Sequence, residues 1–258
     1  MDHKFKNIAR IVVLFWLAGW YIKLGFYGPY LLETTRQFPV LHPMFPAFFQ
    51  NADVANLFYF LPAFLVPFLF FRRDIYLRIS AVVMVVCAAV LNLHINTCND
   101  ATFVTSFWSA LWLLWFICQK NPLPHAKMLA MCVLGMIFWG GFIGKLTPEY
   151  WNGQVMTQIL IAGGDKTLLG KIVLPLSTVV RDNVMMWLGR LVIIIEGVLA
   201  LSPLLPVRFV LFLLCVIVAG FCLFSTWTIL SVLSSLVGLA VAVVRLEKIC
   251  LDSHCRVQ

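Results

Sequence analysis

The chain has 258 residues, of which 62% are apolar and only 12% charged, against roughly 45–50% and about 25% in soluble domains. A soluble protein of that composition has too few polar groups to meet water, so the solvent for most of this chain is lipid. The formal net charge of +8 does not point to nucleic acid, because Lys and Arg stand between apolar runs rather than along one basic face; in a membrane protein the same excess marks loops that face anionic lipid.

A spanning helix takes roughly 20 mostly apolar residues. Eight candidates follow one another near 9–26, 54–71, 76–94, 101–118, 128–145, 184–204, 207–225 and 227–244. The first reads as an uncleaved signal anchor, since it is long, holds Tyr21 and Lys23 and lacks a small-residue cleavage pattern. The segment 27–53 that follows is rich in aromatics and Pro. The third span closes on His94, with Asn96, Asn99 and Asp100 just beyond, and Lys145 closes the fifth. Segment 146–183 carries Trp151, an apolar run from Val155 to Ala162, a Gly163-Gly164 break and a second run from Leu168 to Leu176. Neither run is long enough to cross, and both suit interfacial or re-entrant helices. Only Ser225 and Thr226 part the last two spans, yet Val207 to Val244 is too long for one.

Orientation follows from the basic residues. With eight spans and the N-terminus inside, twelve of the 19 Lys and Arg residues fall on the inner side, six on the outer, and Arg190 lies within a span. The expected fold is an all-α integral membrane protein. It is a polytopic bundle of about eight transmembrane helices with interfacial helices on the outer face, N-in and C-in. One transmembrane domain covers residues 1–258, with no separate soluble domain.

Cys87, Cys118, Cys132, Cys215 and Cys222 lie in apolar runs, where Cys packs as a small hydrophobe. Cys98 has no second external Cys to pair with. Cys250, His254 and Cys255 match no zinc spacing, so the tail reads as solvated and no metal is expected.

Charges within a span cost on the order of 2.5–3.5 kcal/mol each, which makes their positions informative. Lys23, His94, Lys145 and Arg190 crowd the outer half of the bundle, and Glu196 lies deeper. Each has an ordinary reading as well. Lys23 and Lys145 can snorkel to the headgroups, and His94 can cap a helix. Arg190 and Glu196 are six apart on one helix and do not face each other. Each therefore needs a partner elsewhere, and an ion pair between helices serves structure as readily as catalysis.

The stretch from Phe138 to Met156, FWGGFIGKLTPEYWNGQVM, resembles the membrane region of vitamin K-dependent gamma-carboxylases and their bacterial relatives, the HTTM (horizontally transferred transmembrane) family. The matching positions are Gly141, Lys145, Leu146, Trp151 and Gly153, with the Trp one residue late. Upstream, Asn92, His94, Asn96 and Asn99 resemble the family's Asn-Asn-His segment. Downstream, LGRLVIIIEGVLAL sets Glu196 where the family carries an acidic residue. The likeness covers about 90–230. It implies that Lys145 is the base that deprotonates a reduced quinone and that His94 assists. Arg190, Glu196, Trp151, Asn96 and Asn99 would then surround the pocket. A Lys withdrawn from water beside Arg190 would be disposed to act as a base, and a quinol could enter from the bilayer.

The sequence also departs from the family. Gly144 stands where the animal enzyme has a second Lys, and a later family His is replaced near Cys222. The chain stops soon after its last span, so no counterpart of the extramembrane domain that grips a protein substrate is expected. Carboxylation of a protein partner is accordingly not expected, whereas chemistry on a quinol or other lipophilic small molecule is. The competing reading is a non-enzymatic multi-pass protein. A transporter would show related halves and broken helices, and an assembly partner would expose small-residue faces such as Gly140, Gly141 and Gly144.

Overall fold

The structure, a computed structural model, describes residues 2–33, 47–71, 73–94, 101–119, 123–164, 167–224 and 230–254. Every regular element among these residues is helical. Asn96, Asn99, Cys98 and Cys255 lie outside the described residues, as does the break at Ser225 and Thr226. Among the described residues, six helices are long and apolar enough to cross a membrane: His3–Gly25, Asp74–Leu93, Ala101–Cys118, His125–Lys145, Thr178–Ala200 and Leu230–Cys250. Two further apolar helical stretches, Asp53–Leu69 and Val207–Leu223, fall just short in length. The chain forms two compact units, Met1–Ala130 with Leu230–Gln258, and Met131–Ile229.

The first unit holds α1 (His3–Glu33), α2 (Ala52–Phe60), α3 (Asp74–Leu93), α4 (Ala101–Cys118), the start of α5 (Leu123–Lys145) and α11 (Leu230–His254). Helix α1 starts six residues before the expected 9, because its early charges find partners instead of ending the helix. Lys6 pairs with Asp74 at 2.7 Å, and Arg10 Nη2 donates to the Phe71 carbonyl at 3.0 Å. Helix α2 continues as a 3₁₀ helix over Leu61–Leu69, where Pro62 and Pro67 remove N–H donors from the α-helical ladder. Pro62 can offer the Tyr59 carbonyl no N–H, and the indole N–H of Trp20 donates to it at 2.8 Å.

Aromatic rings and small polar groups fill the interior of this unit. Trp16 stacks on Trp20 with centroids 4.5 Å apart, and Trp16 Nε1 donates to the Ser106 carbonyl at 2.9 Å. The edge of Phe103 meets Trp20 at 5.4 Å. Helices α1 and α11 run antiparallel in close contact. Gly19 lies so near the Ser231 carbonyl that a Cβ would come within 2.7 Å of its oxygen, and Ser234 Oγ donates to the Phe15 carbonyl at 2.6 Å. Small residues are what permit such a crossing in lipid. Helix α11 outruns its expected end at 244 by ten residues, and Glu247 in that extension pairs with Lys127 at 2.6 Å.

The second unit holds the rest of α5, the short helices α6 (Pro148–Trp151), α7 (Gln154–Gly163) and α8 (Leu168–Val173), then α9 (Thr178–Ala200) and α10 (Val207–Phe224). The two apolar runs expected to be non-spanning helices are α7 and α8. They pack through Met156, Leu160 and Val173 against Met185 of α9. The turn from α6 to α7 depends on Gly153, which has φ +78° and lies against the backbone of Met185 and Met186. Both the left-handed backbone and the close approach call for glycine. Ser202 Oγ donates to the Met131 carbonyl at 2.8 Å, tying the end of α9 to α5.

Candidate functional site

The chemistry-bearing residues of the second unit gather where α5 ends beside α9. Side chains on a helix tilt toward its N-terminus, so Lys145 lies back over Gly141, one turn earlier on the same face. Its Nζ donates to Glu196 Oε2 of α9 at 2.8 Å and sits 3.5 Å from the Gly141 carbonyl oxygen. Both side chains are largely shielded, Glu196 at 9% exposure and Lys145 at 20%. Gly141 is part of this arrangement, because a Cβ there would stand 3.0 Å from Glu196 Oε2 and 3.6 Å from Lys145 Nζ. One residue on, the Phe142 ring occupies the space left by Gly197. The Tyr150 ring completes the surroundings, with Lys145 Nζ 5.8 Å from its centroid.

Arg190 occupies a second station. Its guanidinium lies 4.9 Å from the Trp151 ring centroid and 5.2 Å from that of Trp187, and Nε donates to the Trp151 carbonyl at 3.3 Å. The charge that Lys145 meets is the Glu196 carboxylate, and Arg190 lies against the Trp151 and Trp187 rings. Just past Lys145, Leu146, Thr147, Pro148, Trp151 and Asn152 line an open cleft of about 390 Å³. Thr147 caps α6 by accepting from the Tyr150 N–H at 3.5 Å. The exposed Glu149 carboxyl is held below its ordinary value by a hydrogen bond from its own backbone N–H and by the Thr147 hydroxyl.

His94 belongs to the first unit. It ends α3, with its backbone N–H donating to the Leu91 carbonyl at 3.2 Å, and it is buried. Of the residues singled out in the sequence, the structure brings Lys145 to Glu196 and Arg190 to Trp151. The need of Glu196 for a partner on another helix was readable from its burial cost. That the partner is Lys145, 51 positions away, was not. The roles of Gly141, Tyr150 and Trp187 also went unread. For Gly141 the signal was present in its i,i+4 spacing from Lys145.

These features define a multi-pass helical membrane protein with a charge pair between two candidate spanning helices, Lys145 at the end of α5 and Glu196 on α9. Comparison with protein-family models, curated proteins and solved structures finds no match to this chain.

Proposed function

We propose that this chain is a membrane enzyme of the HTTM or vitamin K-dependent carboxylase-like kind, with eight spans and both termini inside. In this reading it acts on a quinol or other lipophilic hydroxyl compound at the non-cytoplasmic side. The observation that carries the reading is the 2.8 Å Lys145–Glu196 pair, in which a shielded carboxylate on one candidate spanning helix meets the lysine that ends another. A shielded carboxylate on a spanning helix is expensive and marks a site of function. A proton passed from the Lys145 ammonium to the Glu196 carboxylate leaves a neutral amine, the form that accepts a proton from a substrate hydroxyl. The neighbouring open cleft, about 390 Å³, presents Leu146, Pro148 and Trp151 beside Thr147 and Asn152 to a lipophilic substrate. His94, Asn96 and Asn99 enter by family resemblance alone, with His94 as the helper of Lys145.

Two geometric facts support eight spans over six. The nine α-helical and nine 3₁₀ residues of 52–69 advance roughly 31 Å at their respective rises, which matches a hydrocarbon core of about 30 Å. Helix α10, with 18 residues, advances roughly 27 Å and lies within the accepted range when the bilayer thins slightly.

A second reading, a non-enzymatic assembly partner, is favoured by one observation. Gly140 and Gly144 of α5 are exposed with open space beside them, a small-residue face that lets another spanning helix approach closely. Extracting the wild type and Lys145→Ala in mild detergent and identifying retained quinone by mass spectrometry separates the two. A quinone held by the wild type and lost from a folded Lys145→Ala protein supports the enzyme. Absence of quinone from both supports the assembly partner.

A further inference from the structure

The antiparallel contact of α1 with α11 brings the first turns of one helix to the last turns of the other. There Lys4 and Asn7 of α1 face Arg245 and Lys248 of α11 across a cleft of about 380 Å³, whose wall is formed by Ile8 and Ile11. The neighbouring lysines are neutralised, Lys6 by Asp74 at 2.7 Å and Lys127 by Glu247 at 2.6 Å. Among the described residues no carboxylate pairs with Lys4, Arg245 or Lys248. All three are exposed, while Ile8 is buried and Ile11 half-buried. The crossing segments begin at His3 and end at Cys250, so the three cations stand where hydrocarbon gives way to headgroups, and the isoleucines stand one to two turns deeper.

From this arrangement we infer that the cleft binds the headgroup of an anionic phospholipid. The phosphate meets Lys4, Arg245 and Lys248, Asn7 hydrogen-bonds to a headgroup oxygen, and an acyl chain runs along Ile8 and Ile11. Basic pockets between spanning helices hold anionic headgroups by this combination of charge and depth. The apolar wall favours a lipid over a soluble phosphate, which would gain nothing from Ile8 and Ile11. A zwitterionic headgroup would leave part of the positive charge unmatched. The inference is independent of any chemistry at Lys145.

The full chain in nanodiscs of mixed phosphatidylglycerol and phosphatidylcholine tests it, with retained lipid counted by native mass spectrometry as detergent strips the bilayer. The wild type should keep phosphatidylglycerol in preference to phosphatidylcholine. The Lys4→Gln/Arg245→Gln/Lys248→Gln protein should lose that preference, by roughly fivefold per cation and on the order of a hundredfold for three. Lys4→Arg/Lys248→Arg should retain it, which shows that charge and not fold was removed. Lys171→Gln, which deletes an exposed cation of the second unit, should leave it unchanged. Equal retention of the two lipids by the wild type would overturn the inference, as would an unaltered preference in the triple variant or an equal loss in Lys171→Gln. So would displacement of the lipid by millimolar inorganic phosphate, which would assign the cleft to a soluble anion.

Discussion

The two units solve the problem of packing helices in lipid with different groups. In the first, neutral donors on rings meet backbone carbonyls across helices, as Trp16 does with Ser106 and Trp20 with Tyr59. Its ion pairs, Lys6–Asp74 and Lys127–Glu247, sit near helix ends. In the second, the ion pair between α5 and α9 has the more shielded carboxylate, Glu196 at 9% exposure against 29% for Asp74 and 28% for Glu247. Neutral bonds of this sort stabilise with little desolvation cost. A shielded ion pair must first offset the removal of two charges from water and is weak evidence for stability. The second unit therefore holds the more costly of these charge pairs, a cost for which the function proposed at Lys145 accounts.

That contrast breaks most visibly at Lys145 and Glu196. Removing one partner, as in Glu196→Ala, strands the other charge and should cost about 3–5 kcal/mol, read as a lowered detergent-unfolding midpoint. Replacing both, as Lys145→Met/Glu196→Leu, should recover most of that loss. If the double variant stays as unstable as the single one, the pair is structural and the contrast fails. In the first unit, Trp20→Phe keeps the stacked ring but leaves the Tyr59 carbonyl without its indole donor. The expected cost is smaller, about 1–3 kcal/mol by the same measurement. A loss as large as that of Glu196→Ala would mean that the neutral network, and not the charges, is the more demanding arrangement.

The legibility of the chain follows the same division. Helices α3 and α4 begin and end within two residues of their expected bounds, because charged and polar residues flank both runs, Arg73 and His94 at α3 and Asp100 and Gln119 at α4. Helix α1 begins before the expected residue 9, since Lys4 and Lys6 look like a flank until Asp74 is seen opposite Lys6. The 3₁₀ continuation over Leu61–Leu69 was hidden for a different reason. Two prolines announce a disturbance, but hydropathy does not say whether the chain kinks, stops or tightens. In the site, the cost of burying Glu196 and Lys145 could be read locally and their pairing could not, because it depends on how α5 crosses α9. The placement of Arg190 between Trp151 and Trp187 likewise depends on where the α6–α7 turn at Gly153 leaves Trp151.

The smallest expected effect lies at the water-facing edge of the second unit and checks whether its charges behave differently outside the spans. Glu149 is exposed, and its carboxyl sits below its ordinary value of 4.5 through its own backbone N–H and the Thr147 hydroxyl. A depressed folded value means that the hydrogen bonds favour the ionised form. Their contribution to the start of α6 is therefore fully present above 4.5 and fades as pH falls through the folded value. In a carboxyl carbon NMR titration, Glu149 should titrate below 4.5 in the wild type. Thr147→Val removes the hydroxyl but not the backbone donor, so the midpoint should rise only part of the way back. A full return would show that the hydroxyl alone held the carboxylate. No movement would show that the backbone N–H of the helix start suffices and that this edge, like the first unit, is held by neutral groups.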